Sequence, residues 1–361
     1  MPVAVSIIVP CYNVAPYLDA CLESLVSQTL REIEIICVND GSTDETPERL
    51  RAWAARDSRI TIVNQANAGL SAARNAGMDI AAGEYIGFVD SDDEAEYAMY
   101  ARLLEEARQH DADVTACGYT AFSGMDGTVL EAWSHSPDAG VEKHAREADL
   151  HAGSVWRRMD AVAWNKLYNR QFLDACGVRF EPSFRKGEDD VFWLMLLPHV
   201  NRLAVIPDRL YRYRRQREGS ISHGWETGGS PWELDMQRLE YVTAYWGRLG
   251  RLDAASSSGW VAWLLKRFLL AHVSSREEVL PALPVRERLD LARRCREWFA
   301  AVGLSPAFDG LRAWDRRFCL ALDGAPLRAL PCARLWWRLL SHCSGRRGRY
   351  YRLKLALSNL S

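Results

Sequence analysis

An excess of charge of one sign is the first thing this sequence lacks: 45 Lys and Arg stand against 47 Asp and Glu, a formal net charge of -2 with a pI near 6.5. Nucleic-acid-binding domains usually carry a large basic excess, so no nucleic acid partner is expected. Paired cysteines are missing too. The nine cysteines are scattered singly, without Cys-x-x-Cys or metal-ligand spacing, and Cys11 and Cys37 sit in or beside apolar runs. They read as buried, reduced thiols of a cytoplasmic protein. No run is long enough to form a membrane span, and VAVSIIVP near the start has no basic region ahead of it; neither a secretory signal nor a transmembrane helix is expected, and membrane contact would be peripheral. A Gly-x-Gly-x-x-Gly turn is absent, which disfavours a nicotinamide dehydrogenase, and so is Gly-x4-Gly-Lys-[Ser/Thr], which argues against a P-loop phosphotransferase.

What is present is an ordinary globular composition, 48% hydrophobic and 25% charged over 361 residues, enough for one full core and a second small domain. The first third alternates short apolar runs with amphipathic stretches, the pattern of parallel strands linked by helices. Strands are expected at Val3 to Val9, Ile33 to Val38, Ile60 to Val63, Tyr85 to Val89 and Val114 to Cys117. Helices are expected at Tyr17 to Ser27, Pro47 to Ala55, Ser71 to Ala81 and Tyr97 to His110, with Asp44 or Thr43 capping the second and Gly83 ending the third. From about Ser123 to Ala161 the pattern weakens into an irregular connection. Beyond about Gly224 the chain is helical in character. The fold class is therefore α/β: a Rossmann-like, mostly parallel sheet flanked by helices over residues 1–223, then a mainly helical region over 224–361.

Near-continuously apolar runs such as SIIV and IGFV belong in central parallel strands, whose carboxyl ends form the ligand crevice. Three polar clusters fall there: Pro10-Cys11-Tyr12-Asn13, Asn39-Asp40-Gly41-Ser42 and Asp90-Ser91-Asp92-Asp93. Carboxylates crowded into one turn repel unless a cation or hydrogen bonds neutralise them. Magnesium takes one or two protein carboxylates and completes its shell with phosphate oxygens and water, so the last cluster suits a metal diphosphate better than an all-protein calcium cage. Asp40, ending the second strand about 30 residues after the first, lies where mononucleotide-binding units place an acid for the nucleoside.

VSIIVPCYN, VNDGSTDET, NAGLSAARNAG and YIGFVDSDD, in that order and spacing, resemble the family 2 glycosyltransferases over residues 3–120. The likeness weakens but continues through WNKLYNRQFL, KGEDDVF and YRYRRQREGSIS, similar to later parts of bacterial polysaccharide and lipopolysaccharide glycosyltransferases. The resemblance implies a GT-A-like fold, with a nucleotide half over 1–120 and an acceptor half over 121–223. By similarity, Pro10, Tyr12 and Asn13 line the donor pocket and Asp40 accepts a hydrogen bond from the base, most often uracil. Asn67, Gly69 and Arg74 match the segment beside ribose and phosphates, although Arg74 also suits an ion-pair brace. Asp90 and Ser91 contact the donor; Asp92, with Asp90, is the ligand set for Mn²⁺ or Mg²⁺, and His223 is a candidate further ligand.

Glu188 and Asp189 match the family's acidic pair near the acceptor, with Asp189 as general base and Glu188 positioning the acceptor. A second reading has Glu188, Asp189 and Asp190 simply capping a helix that begins near Val191. Trp164, Asn165 and Lys166 fall on the acceptor side. Arg214, Arg217 and Ser220 can donate to the diphosphate. The family pattern implies an inverting transfer from a nucleotide sugar to a glycan or lipid-linked acceptor. A non-catalytic sugar-nucleotide or glycan-binding protein of the same fold is a second class, and a nucleotidyltransferase a third. From Arg328 to Lys354, seven arginines without an acid interleave with Trp336, Trp337, Tyr350 and Tyr351; such a stretch suits an anionic membrane surface, or a helix packed with its arginines in solvent.

Overall fold

A computed structural model describes residues 2–124, 126–133, 143–145, 161–215 and 231–250, together with residues 294, 297 and 298. The chain divides into two units, Met1–Leu150 with Ser154–His223, and His151–Gly153 with Gly224–Ser361.

In the first unit the elements run β1 (Val5–Cys11), α1 (Ala15–Val26), β2 (Ile33–Asp40), α2 (Thr46–Arg56), β3 (Ile60–Gln65), α3 (Leu70–Ile80), β4 (Tyr85–Phe88), β5 (Glu94–Ala95), α4 (Met99–Gln109), β6 (Val114–Ser123), β7 (Val129–Trp133), β8 (Lys143–Ala145), β9 (Lys166–Asn169), α5 (Arg170–Cys176), α6 (Glu188–Leu196) and β10 (Leu203–Arg215). The sheet order is β3-β2-β1-β4-β9-β6-β10-β5, with β7 paired to β6 and β8 to β10. Strands β3, β2, β1 and β4 are mutually parallel, as are β6 and β10. Strand β9 runs antiparallel between β4 and β6 and joins these two parallel blocks.

The apolar runs explain the centre of this sheet. Every residue of β1 is buried, as a strand covered by helices on both faces requires. The chain leaves β1 toward β2 and β3, then returns to place β4 on the other side of β1. That reversal opens a crevice at the carboxyl ends of β1 and β4. Pro10 fits this place. The last rung between the two strands pairs Ile8 with Phe88, beyond which the Val89 N–H donates to the Ile8 carbonyl at 3.0 Å. Residues two apart point the same way, so Pro10 turns its missing N–H to the side where pairing has ended. Gly77 brings α3 close to β1, since a Cβ there would lie 2.4 Å from Ile8 Cγ2.

Several expected boundaries shift. β1 begins at Val5 and continues to Cys11, because β2 pairs with it to the end. α3 stops at Ile80 with Ala81 extended, so Gly83 does not end the helix; its N–H donates to Ser6 Oγ instead. Asp44 accepts from the Thr46 N–H ahead of α2, whereas the Thr43 N–H is taken by Asn13 Oδ1. The connection expected to be irregular contains β7 and β8, and β6 extends to Ser123. α6 starts at Glu188 rather than Val191, directly after Gly187 at φ 66°.

In the second unit α7 spans Pro231–Arg248, and Arg294 forms ion pairs with Glu233 and Glu240. The rest of the expected helical region, including the basic aromatic stretch from Arg328 to Lys354, lies outside the described residues. Among the described residues no helix is long and apolar enough to cross a membrane.

Candidate functional site

The acidic turn leaves the end of β4 and is closed by a hydrogen bond from the Asp93 N–H to the Asp90 carbonyl, 2.9 Å. Its side chains divide. Ser91 and Asp93 are buried, while Asp90 and Asp92 stay partly accessible. Asp93 Oδ2 accepts from the Tyr211 hydroxyl at 2.8 Å and Oδ1 from the Arg214 N–H at 2.7 Å. Burial, together with the charges of Asp92 and Asp90, holds the Asp93 carboxyl well above the usual range. Asp93 thus anchors the turn, while Asp90 and Asp92 keep partly accessible side chains.

Arg74 lies beneath this turn. Its side chain is 1% exposed, yet it meets three carboxylates: Nη2 donates to Asp90 Oδ1 at 2.8 Å, and Nη1 to Glu188 Oε1 at 3.0 Å and Asp189 Oδ1 at 2.5 Å. The guanidinium also lies 5.0 Å from the centroid of the Phe180 ring. A buried guanidinium is tolerated only when its charge is paired; Arg74 projects from α3, and its partners come from the β4 end and the start of α6. Asp189 Oδ2 accepts from the Ala163 N–H at 3.2 Å. Burial pushes the Asp189 carboxyl up to about 7 against the pull of Arg74, with Glu188 and Asp90 adding to the rise.

On the nucleoside side, Tyr12 is 49% exposed just past β1, and Pro10 is buried within the strand. Asn13, at φ 51°, ties the first strand end to the second: its N–H donates to Ser42 Oγ at 3.1 Å, and its Oδ1 accepts from the Thr43 N–H at 2.8 Å. Asp40 is buried and accepts from Gln65 Nε2, the Ala68 N–H and the Gly69 N–H at 2.7, 2.8 and 2.9 Å. Of the roughly four lone-pair sites on a carboxylate, one remains, so the main work of Asp40 is to shape the 66–69 loop. Asn67 is exposed on that loop. Gly41, at φ 71°, packs beneath it, where a Cβ would lie 2.8 Å from the Asn67 N atom.

Residues 6–177 match the family model described as glycosyl transferase family 2. The glycosyltransferase GlyG of Streptococcus pneumoniae serotype 4 is 33% identical over 222 residues, 60% of this chain and 72% of GlyG. The chain belongs to glycosyl transferase family 2. The uncharacterized glycosyltransferase EpsJ of Bacillus subtilis is 40% identical over 210 residues, 58% of this chain. The match covers 60% of EpsJ's own length. Among solved structures, Staphylococcus aureus TarS 1-349 in complex with UDP superposes with a TM-score of 0.71 at 19% identity, covering 97% of this chain and 92% of that one. TarS has the same fold.

In this family 2 chain the candidate residues separate into those that meet and those that do not. Arg74, Asp90, Glu188 and Asp189 form one cluster. Arg74 braces this cluster through Nη1 and Nη2, the ion-pair role that was one of its two expected readings, while its buried Nε meets no hydrogen-bond partner among the described residues. Arg214 is also engaged: Nε donates to the Asp92 carbonyl at 2.7 Å and Nη2 to Glu94 Oε1 at 2.7 Å. Trp164, Asn165 and Lys166 are buried rather than lining an acceptor surface. Asn165 Nδ2 donates to the Cys117 carbonyl, Lys166 Nζ to the Val162 carbonyl and Asn165 Oδ1, and the Trp164 ring stacks on Tyr211 at 4.3 Å. These three side chains serve the junction of β9 with β6 and β10. Arg217, Ser220 and His223 lie outside the described residues.

One residue of the site escaped the sequence reading. Tyr211 touches both ends of the acidic turn, and its only signal was membership of the aromatic and basic run at 210–214.

Proposed function

We propose that this chain is a metal-dependent, inverting glycosyltransferase that moves a sugar from a nucleotide diphosphate, most simply a UDP-sugar, to a glycan or lipid-linked acceptor in surface polysaccharide synthesis. The observation that carries this is the Arg74 bridge, which sets the partly open Asp90–Asp92 turn beside a second carboxylate pair, Glu188 and Asp189. Family membership supports the transferase class. TarS, of the same fold, has been solved with UDP and with UDP-GlcNAc, which supports a uridine donor.

The residues fit a divalent ion. Three carboxylates, at 90, 188 and 189, meet one guanidinium, and Asp92 follows in the same turn as Asp90, a local deficit of positive charge. Among the described residues no group of three or more His, Cys, Asp or Glu could hold a metal by itself, so an ion here would need donor phosphates and water to complete its shell. Asp92 and Asp90 would hold it. When bound, such an ion neutralises charge that develops on the departing diphosphate.

The chain's own groups supply the rest. Tyr12 offers an exposed aromatic face for the base, and Asp40 shapes the 66–69 loop that follows β3. Asp189 accepts the proton of the acceptor hydroxyl as its oxygen attacks the anomeric carbon and the bond to the diphosphate oxygen breaks. A carboxylate near pH 7 is matched to that task. Arg74 and the Ala163 N–H fix its two oxygens while leaving lone pairs for the acceptor, and Glu188 is held by the same guanidinium. Transfer in one displacement inverts the anomeric carbon; proton NMR of the product reads the configuration, and retention would refute the mechanism.

The acceptor reading places the enzyme at the inner face of the cytoplasmic membrane, with the basic aromatic stretch as its contact. Co-sedimentation with anionic vesicles should weaken on truncation near Ala325; undiminished binding would reject that contact.

A further inference from the structure

The acidic turn has little to hold it from its own strand. β4 ends at Phe88, and a bond from the Asp93 N–H to the Asp90 carbonyl closes the turn internally. Arg74 on α3 holds Asp90 Oδ1 at 2.8 Å and Cys21 Sγ on α1 approaches the Asp90 carbonyl at 3.8 Å; further anchors come from β10. Tyr211 Oη accepts from the Asp90 N–H at 3.2 Å and donates to Asp93 Oδ2 at 2.8 Å, so one hydroxyl closes both ends of the turn. Arg214 adds its backbone N–H to Asp93 Oδ1 and its Nε to the Asp92 carbonyl. β5, which follows the turn, pairs antiparallel with Tyr211 and Arg212.

The direction of that hydroxyl is fixed from below. Tyr211 is fully buried, and its ring stacks on the Trp164 indole at 4.3 Å with an interplanar angle of 19°. Tyr213 stacks against the same indole at 5.3 Å, and Tyr119 meets it edge-on at 5.1 Å. A tyrosine hydroxyl has one proton to give and lone pairs to accept with; here both capacities are spent on the turn.

Resting on the function proposed above, we infer that Tyr211 is a positioning residue for the donor turn: its hydroxyl sets how Asp90 and Asp92 are presented, from about 120 residues downstream. It is fully buried behind the turn. This also gives the buried Trp164 a role, as the platform that aims the hydroxyl.

Tyr211→Phe tests this, because it keeps the ring and the stack and removes only the hydroxyl. Two quantities are read on the full chain beside wild type. One is hydrogen exchange of the 89–94 backbone without ligand; the other is the MnCl2 concentration giving half-maximal thermal stabilisation in the presence of UDP. The variant should exchange faster at Asp90, and its MnCl2 midpoint should rise roughly tenfold or more, as expected for losing hydrogen bonds to a charged group. Unchanged exchange, or faster exchange with an unchanged midpoint, overturns the inference. The wild-type arm stands apart: no stabilisation by Mn²⁺ and UDP counts against the proposed function, while the exchange comparison still decides whether Tyr211 holds the turn.

Discussion

Arg74 donates to Asp189 across 115 residues of sequence, and the same guanidinium also holds Asp90. One buried cation therefore joins the end of β4 to the start of α6. The acid proposed to take the acceptor's proton and the acid proposed to face the donor cannot be displaced independently of each other.

Replacing Asp189 by Asn should lower kcat by about 10²- to 10⁴-fold, the usual contribution of a general base, with UDP affinity nearly unchanged. Steady-state kinetics beside UDP titration checks this. An unaltered kcat would remove Asp189 from the reaction.

The pH dependence follows from the same group. With its carboxyl raised to about 7, Asp189 is protonated in the folded protein below that pH, so kcat/KM should climb as pH rises through about 7. Stability runs the other way. Between the ordinary carboxylate value of about 4 and about 7 the folded state holds a proton that the unfolded state has lost, so this group's contribution falls as pH rises. Thermal melts of Asp189→Asn should lose that downward slope relative to wild type.

Arg74→Met should destabilise the first unit by about 3–5 kcal/mol, since it leaves Asp90, Glu188 and Asp189 crowded without their cation. Urea denaturation measures the loss. Arg74→Lys should recover part of the stability but less of the activity, because an ammonium cannot reproduce the fork that serves both sides. Equal activity in Arg74→Lys and wild type would show that the fork's geometry does not matter.

Asp92→Ala should leave the melting temperature of the free protein close to wild type, because Asp92 is partly accessible and its backbone carbonyl still accepts from Arg214. Stabilisation by UDP with Mn²⁺ should largely disappear. Full retention of that stabilisation would exclude Asp92 as a metal ligand.

Gly41→Ala should cost about 1–3 kcal/mol through its left-handed backbone, and the added Cβ would press on Asn67. Displacement of the 66–69 loop should then weaken UDP binding. Calorimetric titration that finds unaltered affinity would detach this loop from the donor.

The central strands and the first four helices were legible because burial on both faces writes a continuous apolar run, and burial on one face writes a helical period. The clusters at residues 10–13, 39–42 and 90–93 were legible too, since loops at parallel-strand ends carry the polar residues that strands cannot. Family membership followed from the order of those motifs. Position along the chain could not show what Arg74 faces: an arginine on a helix reads equally as a phosphate ligand or a brace until α6 is brought against β4. Trp164, Asn165 and Lys166 were expected on the acceptor side, but the antiparallel insertion of β9 buries them. The sequence by itself therefore determined the parallel nucleotide half and its acidic turn, through local periodicity. Only the tertiary structure decided which charges pair and which hydroxyl holds the turn, because both depend on contacts between residues more than a hundred positions apart.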